Sequence, residues 1–220
     1  MPVTAVTLWW ASPRDARPWH RDFLSPAEIK RAEAFRRGED RDRFTTANAL
    51  LHLAAWKHLG DRPMVDRACS RCGEPHGKPV INGVQVSVSH SGDLIAVALT
   101  ELGPVGVDVE ETTRHTDIES MLSYVFSPAE LATLESPTTQ FYQAWTRKES
   151  ILKATGEGLR VRMSTLTVLP HAAEHNVRDL LPPRPGYAAA LAVLTADPGD
   201  PFSVNEFDGQ ELLTTEPPRR

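Results

Sequence analysis

The sequence has few cysteines and no long apolar run. Two of its 220 residues are cysteines, which is too few for the disulfide framework of a small secreted scaffold. No stretch approaches the ~20 apolar residues of a membrane-spanning helix. The apolar start, residues 1–11, also lacks the basic flank of a signal peptide. These absences predict a cytoplasmic protein that needs no membrane.

A large excess of positive charge is missing as well. The net charge is −5 at pH 7, which disfavours general nucleic-acid binding because the phosphate backbone selects basic surfaces. The composition, 40% hydrophobic and 24% charged, is that of an ordinary globular protein. The length suits one large domain or two small lobes.

Apolar spacing and capping signals predict strands and helices in alternation. The predicted strands are 3–10, 84–88, 94–99, 106–110, 166–169, 188–194 and 202–207. The predicted helices are one that starts after Ser25, then 41–59, 118–126, one that starts after Ser127, and 139–155. Residues 60–83 are rich in proline, glycine and charge, and this predicts a loop.

The two halves of the chain repeat one pattern. The segment Ser25-Pro26-Ala27-Glu28 recurs as Ser127-Pro128-Ala129-Glu130, and each reads as a helix cap with an N1 proline. The order of strand, capped helix, long helix and final strand recurs about a hundred residues later. We therefore predict an α+β fold of two pseudo-symmetric lobes, 1–104 and 105–210, followed by a disordered tail, 211–220.

Three carboxylates form the candidate chemistry. Asp108 and Glu110 stand two apart in a predicted strand, so both project from one face. Glu149 and Lys153 stand four apart on a predicted helix. Taken separately, these pairs also fit a solvated strand face and a surface salt bridge. Together, three hard oxygen ligands suit Mg²⁺, with Mn²⁺ as an alternative, and a nearby lysine suits a phosphate.

Three motifs are similar to those of the 4′-phosphopantetheinyl transferase superfamily. They are Gly106-Val107-Asp108-Val109-Glu110, Phe126-Ser127-Pro128-Ala129-Glu130 and Trp145-x-x-Lys148-Glu149-Ser150-x-x-Lys153, the last followed by Gly156-Glu157-Gly158-Leu159. The length and the doubled architecture resemble the Sfp-type, surfactin-synthetase-activating branch, in which the active site lies at the lobe interface.

The resemblance implies an activity and a set of roles. The chain would move the 4′-phosphopantetheine group of coenzyme A to a serine of an apo acyl or peptidyl carrier protein and release 3′,5′-ADP. Asp108, Glu110 and Glu149 would hold Mg²⁺ against the coenzyme A diphosphate. Glu149, directly or through a water molecule, would take the serine proton, and Lys153 would stabilise or protonate the departing 3′,5′-ADP.

The first half carries residues that the resemblance assigns to coenzyme A. Ser89 and His90 would contact its phosphates, and Lys78, in a Gly-Lys-Pro element, would lie near the nucleotide. Arg31 and Arg43 would meet the 3′-phosphate, with Arg36 or Arg37 as alternatives to Arg31. The residues alone are also compatible with an ordinary hairpin at Ser89-His90 and with an exposed charged helix.

Several alternatives stay open at this point. Cys69, Cys72 and His76 have the spacing of three zinc ligands, but a fourth ligand is not evident, and free thiols in a loop are the default interpretation. The acid cluster also fits another Mg²⁺-dependent phosphohydrolase, and the fold fits a non-catalytic coenzyme A or carrier-protein binding module. The expected carriers belong to fatty acid, polyketide or nonribosomal peptide synthases, and pseudo-symmetry within one chain predicts a monomer.

Overall fold

The computed structural model describes residues 5–113, 117–170, 176–197 and 200–216. The chain divides into two compact units, Met1–Glu101 with Ser203–Arg220, and Leu102–Phe202. Each unit combines one β-sheet with helices, which confirms the predicted α+β class. Among the described residues, no helix has both the length and the apolar character to cross a bilayer.

The regular elements follow the predicted alternation. The strands are β1 Ala5–Ala11, β2 Gln85–Ser91, β3 Leu94–Thr100, β4 Val105–Glu111, β5 Val177–Leu180, β6 Tyr187–Val193 and β7 Ser203–Asp208. The α-helices are α1 Pro26–Glu33, α2 Gly38–Leu59, α3 Ile118–Val125, α4 Pro128–Leu131, α5 Pro137–Thr155 and α6 Gln210–Thr214. Short 3₁₀ helices occupy Pro13–Asp15, Pro18–Phe23, Gly158–Arg160 and Met163–Thr165.

The first unit is a four-stranded sheet with α2 packed on it. Its order is β2-β3-β1-β7, with β1 antiparallel to β3 and parallel to β7. The middle of α2 is buried on all sides from Phe44 to Ala55, apart from half-buried Thr45. The helix ends at Gly60, whose φ of 80° is the left-handed cap conformation that glycine adopts without strain.

The second unit repeats this plan with three strands. Its order is β4-β6-β5, all antiparallel, and α5 packs on β4 and β6. This is the strand order β1-β3-β2 of the first unit, shifted by roughly a hundred residues. Ser25 and Ser127 both form a complete capping box, with Glu28 and Glu130 respectively. The shared order and the shared caps are what a duplication of one ancestral lobe would produce.

The structure differs from one predicted strand, 166–169, which has no strand structure. The backbone N–H groups of Val168 and Leu169 donate instead to Oε1 of buried Glu130, at 2.7 and 3.1 Å. These donors are therefore used by a side chain rather than by a sheet ladder. The third strand of this sheet is β5, a short and half-exposed segment that the apolar pattern did not reveal.

The end of the chain also differs from the predicted division. Strand β7, expected in the second lobe, pairs with β1 and belongs to the first unit. The segment expected as a tail contains most of α6, in which Leu213 is completely buried and its carbonyl lies 2.8 Å from Nε2 of His20. The rest of that expectation, residues 217–220, lies outside the described residues.

Candidate active site

Strand β4 and helix α5 touch directly at Gly106. A Cβ atom there would lie 1.9 Å from the carbonyl oxygen of Ser150 and 2.6 Å from the nitrogen of Ala154. Only a residue without a side chain lets the helix backbone come this close. Because side chains alternate along a strand, Asp108 and Glu110 project from the same face of β4 as Gly106, toward α5. Val107 and Val109 project from the other face and are completely buried.

Asp108 meets Lys153 across this contact. The Lys153 Nζ donates to Oδ1 of Asp108 at 2.6 Å. Asp108 is only 2% exposed, whereas the lysine side chain is 29% exposed. The residue opposite Asp108 on β6 is Ala190. A buried anion therefore lies beside a cation that still reaches the surface.

Glu149 belongs to the same cluster. Burial raises the pKa of its carboxyl above the ordinary value, and the negative charge of Asp108 raises it further. The charge of Lys153 acts in the opposite direction. The net effect is a raised pKa, so the Glu149 carboxylate binds a proton more readily than an exposed glutamate does.

The three carboxylates do not form a tight cage. Among the described residues, one group of three metal-binding side chains has all its ligand atoms within 4.8 Å of one another, and it lies in the first unit. Oxygens bound to one Mg²⁺ lie within about 4.2 Å of each other, twice the metal–oxygen distance. The hard oxygen donors of Asp108, Glu110 and Glu149 fit this ion chemically, and their oxygens would have to come closer together than they are here to share one ion.

Lys148 is a further charged residue that the sequence motif contained but did not explain. Its Nζ is completely buried and donates to Glu130 Oε2 at 2.5 Å and to the Val125 carbonyl at 2.6 Å. Burial tends to raise the pKa of Glu130, but the hydrogen bonds from Lys148 and from backbone N–H groups hold it below its ordinary value. The pair joins α5 to the caps of α3 and α4, so it fixes the helix that carries Glu149.

Arg147, the neighbour of Lys148, anchors α5 to strand β5. Its guanidinium makes two hydrogen bonds to Asp179 on β5, each 2.7 Å long, and a third to the Val168 carbonyl at 2.8 Å. This bidentate geometry is the strongest form of an arginine–carboxylate pair. Neighbouring residues of the motif thus serve different purposes: Arg147 and Lys148 hold the helix, and Glu149 and Lys153 face the carboxylates of β4.

The residues predicted to contact coenzyme A all lie in the first unit. Arg43 donates from Nε to the carbonyl of Gly92, at 2.7 Å, in the turn that follows Ser89 and His90. The guanidinium of Arg31 lies 5.4 Å from the ring centre of Phe44, the neighbour of Arg43. Arg43 therefore lies at the turn after β2, and Arg31 packs on the helix α2 that carries Arg43.

Lys78 lies apart from those arginines along the chain, in the loop after α2. It is half-buried, and burial lowers the pKa of its ammonium to about 8. The group remains mostly charged at neutral pH and can still attract a phosphate. Ser89 is buried and His90 is exposed, as expected for neighbours on opposite faces of β2.

The first unit has a buried ionic network around its capping-box glutamate, Glu28, as the second unit has around Glu130. His52 lies 3.2 Å from Oε2 of Glu28, and Arg67 donates to Oε1 of the same carboxylate at 3.2 Å. Burial tends to raise the pKa of Glu28, but the hydrogen bonds from His52 and Ser25 and the charge of Arg67 lower it to about 2. This network holds the first unit together, and only its Ser25 cap was visible in the sequence.

The fold and the site define a duplicated α+β protein with an acidic, lysine-bearing contact between a strand and a helix. A family model described as the 4′-phosphopantetheinyl transferase superfamily matches residues 104–202, the segment that holds this contact. The AcpT 4′-phosphopantetheinyl transferase of Salmonella typhi is 35% identical over 134 residues, which cover 56% of this chain and 69% of that relative. The chain therefore belongs to the 4′-phosphopantetheinyl transferase superfamily.

Two other relatives extend the comparison. The 4′-phosphopantetheinyl transferase HetI of a Nostoc species is 33% identical over 147 residues, 62% of this chain but only 61% of the relative. The 4′-phosphopantetheinyl transferase Sfp of Bacillus subtilis is 26% identical over 212 residues, which cover 87% of this chain and 90% of Sfp. The similarity to Sfp thus includes both units.

Proposed function

We propose that this chain transfers the 4′-phosphopantetheine group of coenzyme A to a serine hydroxyl of an apo carrier protein and releases 3′,5′-ADP. The observation that carries the proposal is the contact of Lys153 with Asp108, beside Glu149, where α5 lies on β4. Such a cluster can accept a proton and attract a phosphate within a few ångströms. Relatives named 4′-phosphopantetheinyl transferases support the same activity.

The residues of the cluster have separate roles. The serine Oγ attacks the phosphorus next to the pantetheine arm, and the bond from that phosphorus to the oxygen of 3′,5′-ADP breaks. Glu149 accepts the serine proton, which its raised pKa favours. Lys153, which already carries a positive charge at the surface of the site, stabilises the negative charge on the departing 3′,5′-ADP.

We also propose Mg²⁺ as the cofactor, with Mn²⁺ as an alternative. Asp108, Glu110 and Glu149 would hold it. When bound, such an ion neutralises the diphosphate charge that otherwise repels the acidic residues. In the first unit, Arg31, Arg43, Lys78, Ser89 and His90 would contact the phosphates of coenzyme A.

The cellular setting follows from the substrate. The proposed partners are carrier proteins or carrier domains of fatty acid, polyketide or nonribosomal peptide synthases, because each presents a serine for the phosphopantetheine arm. Such carriers work in the cytoplasm, where we place this protein. We propose a monomer, because a single chain supplies both halves of the duplicated architecture.

Mass spectrometry of a carrier tests the activity directly. The protein is incubated with coenzyme A, Mg²⁺ and a panel of apo carriers, and we expect a mass gain of one phosphopantetheine group on at least one of them. Release of inorganic phosphate without carrier modification would favour a phosphohydrolase. Tight coenzyme A binding without either product would favour a non-catalytic binding module.

Two isosteric variants test the assigned residues. Glu149→Gln and Asp108→Asn should each lower the transfer rate by at least ~100-fold, the usual scale of a lost general base or charge partner, while the circular dichroism spectrum stays unchanged. Glu111→Gln is the matched control, because Glu111 lies on the same strand but on the opposite face from Asp108. Full activity of either site variant would contradict the assignment.

A further inference from the structure

The loop between α2 and β2 is folded into a narrow ribbon. Asp66 and Val80 exchange both backbone hydrogen bonds, at 3.0 and 2.9 Å, and the N–H of Gly77 donates to the Arg67 carbonyl at 2.8 Å. Gly77 packs so closely on Ala68 that a Cβ would lie 2.7 Å from its carbonyl oxygen. The base of the ribbon is held to buried Glu28 by Arg67. This fixes both ends of the segment 69–76 at its tip.

The tip brings two thiols and an imidazole together. One ligand atom from each of Cys69, Cys72 and His76 lies within 4.8 Å of the other two, and Cys72 Sγ is 3.1 Å from His76 Nε2. The backbone turns around them: Gly73 N–H donates to the Cys69 carbonyl at 2.9 Å, and Cys69 N–H donates to the Glu74 carbonyl at 2.8 Å. Gly73 has a φ of 74°, so this turn requires a residue that tolerates the left-handed region.

These distances suit a tetrahedral zinc ion. Zinc binds sulfur at about 2.3 Å and imidazole nitrogen at about 2.0–2.1 Å, so neighbouring ligand atoms in a tetrahedron are about 3.6 Å apart. The observed atoms need side-chain shifts of about 1 Å or less to reach that geometry. Two thiolates and an imidazole also favour Zn²⁺ over Mg²⁺, which prefers hard oxygen ligands.

We propose that Cys69, Cys72 and His76 bind one Zn²⁺ ion, whose fourth ligand is water. Cys72 and His76 are exposed, so the fourth position faces solvent. The ion joins the two ends of the segment 69–76 and so stiffens the loop between α2 and β2. The β-structure in the described residues of that loop consists of two isolated bridges. His76 leads directly into Gly77 and Lys78, so the ion also limits the motion of that segment. None of the three ligands has a role in the proposed transfer, and the inference does not depend on it.

Metal content and cobalt spectra of the full chain test the proposal. Protein expressed with added zinc and purified without chelators should contain about one zinc ion per chain. Replacement by Co²⁺ should produce the visible bands of a tetrahedral site and the near-ultraviolet bands of thiolate–cobalt charge transfer. Cys69→Ser, Cys72→Ser and His76→Asn should each lose the zinc and the cobalt bands.

A loop variant and a proteolysis assay separate binding from general unfolding. Ser70→Ala changes an exposed residue between the two cysteines and should keep its zinc. Trypsin should cut after Arg71, which lies inside the metal-bound segment, at least tenfold faster in the Cys72→Ser variant than in the wild type. Three results would overturn the proposal: wild-type protein without zinc or cobalt bands, zinc retained in the cysteine variants, or a Cys69–Cys72 disulfide in reducing buffer.

Discussion

Replacing Gly106 with alanine adds one methyl group where β4 touches α5. The new Cβ would lie 1.9 Å from the Ser150 carbonyl oxygen, whereas ordinary contacts begin at about 3.4 Å. The atoms in the way belong to the helix backbone, so no side-chain rotation relieves the overlap. The helix must therefore move away from the strand by roughly 1.5 Å, the difference between those two distances.

This displacement has a stability cost and a larger functional cost. Overpacking of a well-packed contact costs about 1–3 kcal/mol, which a domain with a typical stability of ~5–15 kcal/mol survives. A shift of the same size lengthens the Lys153–Asp108 contact from 2.6 Å to beyond hydrogen-bond range. Misplacing a catalytic group by about 1 Å can reduce the rate ~10²-fold. We therefore expect a folded protein with about 1% of the transfer rate.

The assay measures both effects on the same preparations. Urea unfolding followed by circular dichroism gives the stability, and the carrier mass assay gives the rate. Gly38→Ala is the matched control, because a Cβ there meets its nearest atom, Arg41 Nη2, at an ordinary 3.6 Å. Wild-type stability together with a wild-type rate in Gly106→Ala would refute the argument that the strand–helix contact positions the site.

The buried pairs and the arginines give three more predictions. Lys148→Met should destabilise the chain by about 3–5 kcal/mol in urea unfolding, because it leaves Glu130 charged and buried, and adding Glu130→Gln should restore much of the loss. The lowered pKa of Glu28 stabilises the fold above about pH 4.5, and this contribution disappears as the pH falls toward 2. The wild type should therefore exceed Glu28→Gln in its free energy of unfolding by about 3 kcal/mol at pH 7, and this difference should narrow below pH 4.5. A difference that stays constant with pH would contradict the assigned pKa shift of Glu28. Arg43→Glu should weaken coenzyme A binding at least tenfold by calorimetry, and unchanged affinity would remove Arg43 from the site.

Much of the secondary structure was predictable because its signals are local. Ser25 and Ser127 were recognised as helix caps, and both form complete capping boxes. The long helices end at Gly60 and at Gly156, as their glycines indicate. Such signals act within one or two helical turns, so the surrounding fold does not change their meaning. The apolar pattern of 166–169 predicted a strand wrongly. The backbone N–H groups of Val168 and Leu169 donate to the side chain of Glu130, which is distant in sequence.

The candidate site was predictable in composition and only partly in arrangement. The two-residue spacing of Asp108 and Glu110 placed them on one face, and the helical spacing grouped Glu149 with Lys153. Spacing could not show that Lys153 reaches Asp108. Nor could it show that the oxygens of the three carboxylates do not all lie within 4.8 Å of one another.

The sequence by itself determined the α+β alternation, the repeat and the residue types at the site, because periodicity, capping and charge are properties of short segments. Only the tertiary structure decided that Lys148 is buried against Glu130 while Lys153 faces Asp108, and that β7 joins β1. The physical reason is the same in each case. These arrangements depend on which surfaces pack together, and packing joins residues whose separation along the chain carries no local signal.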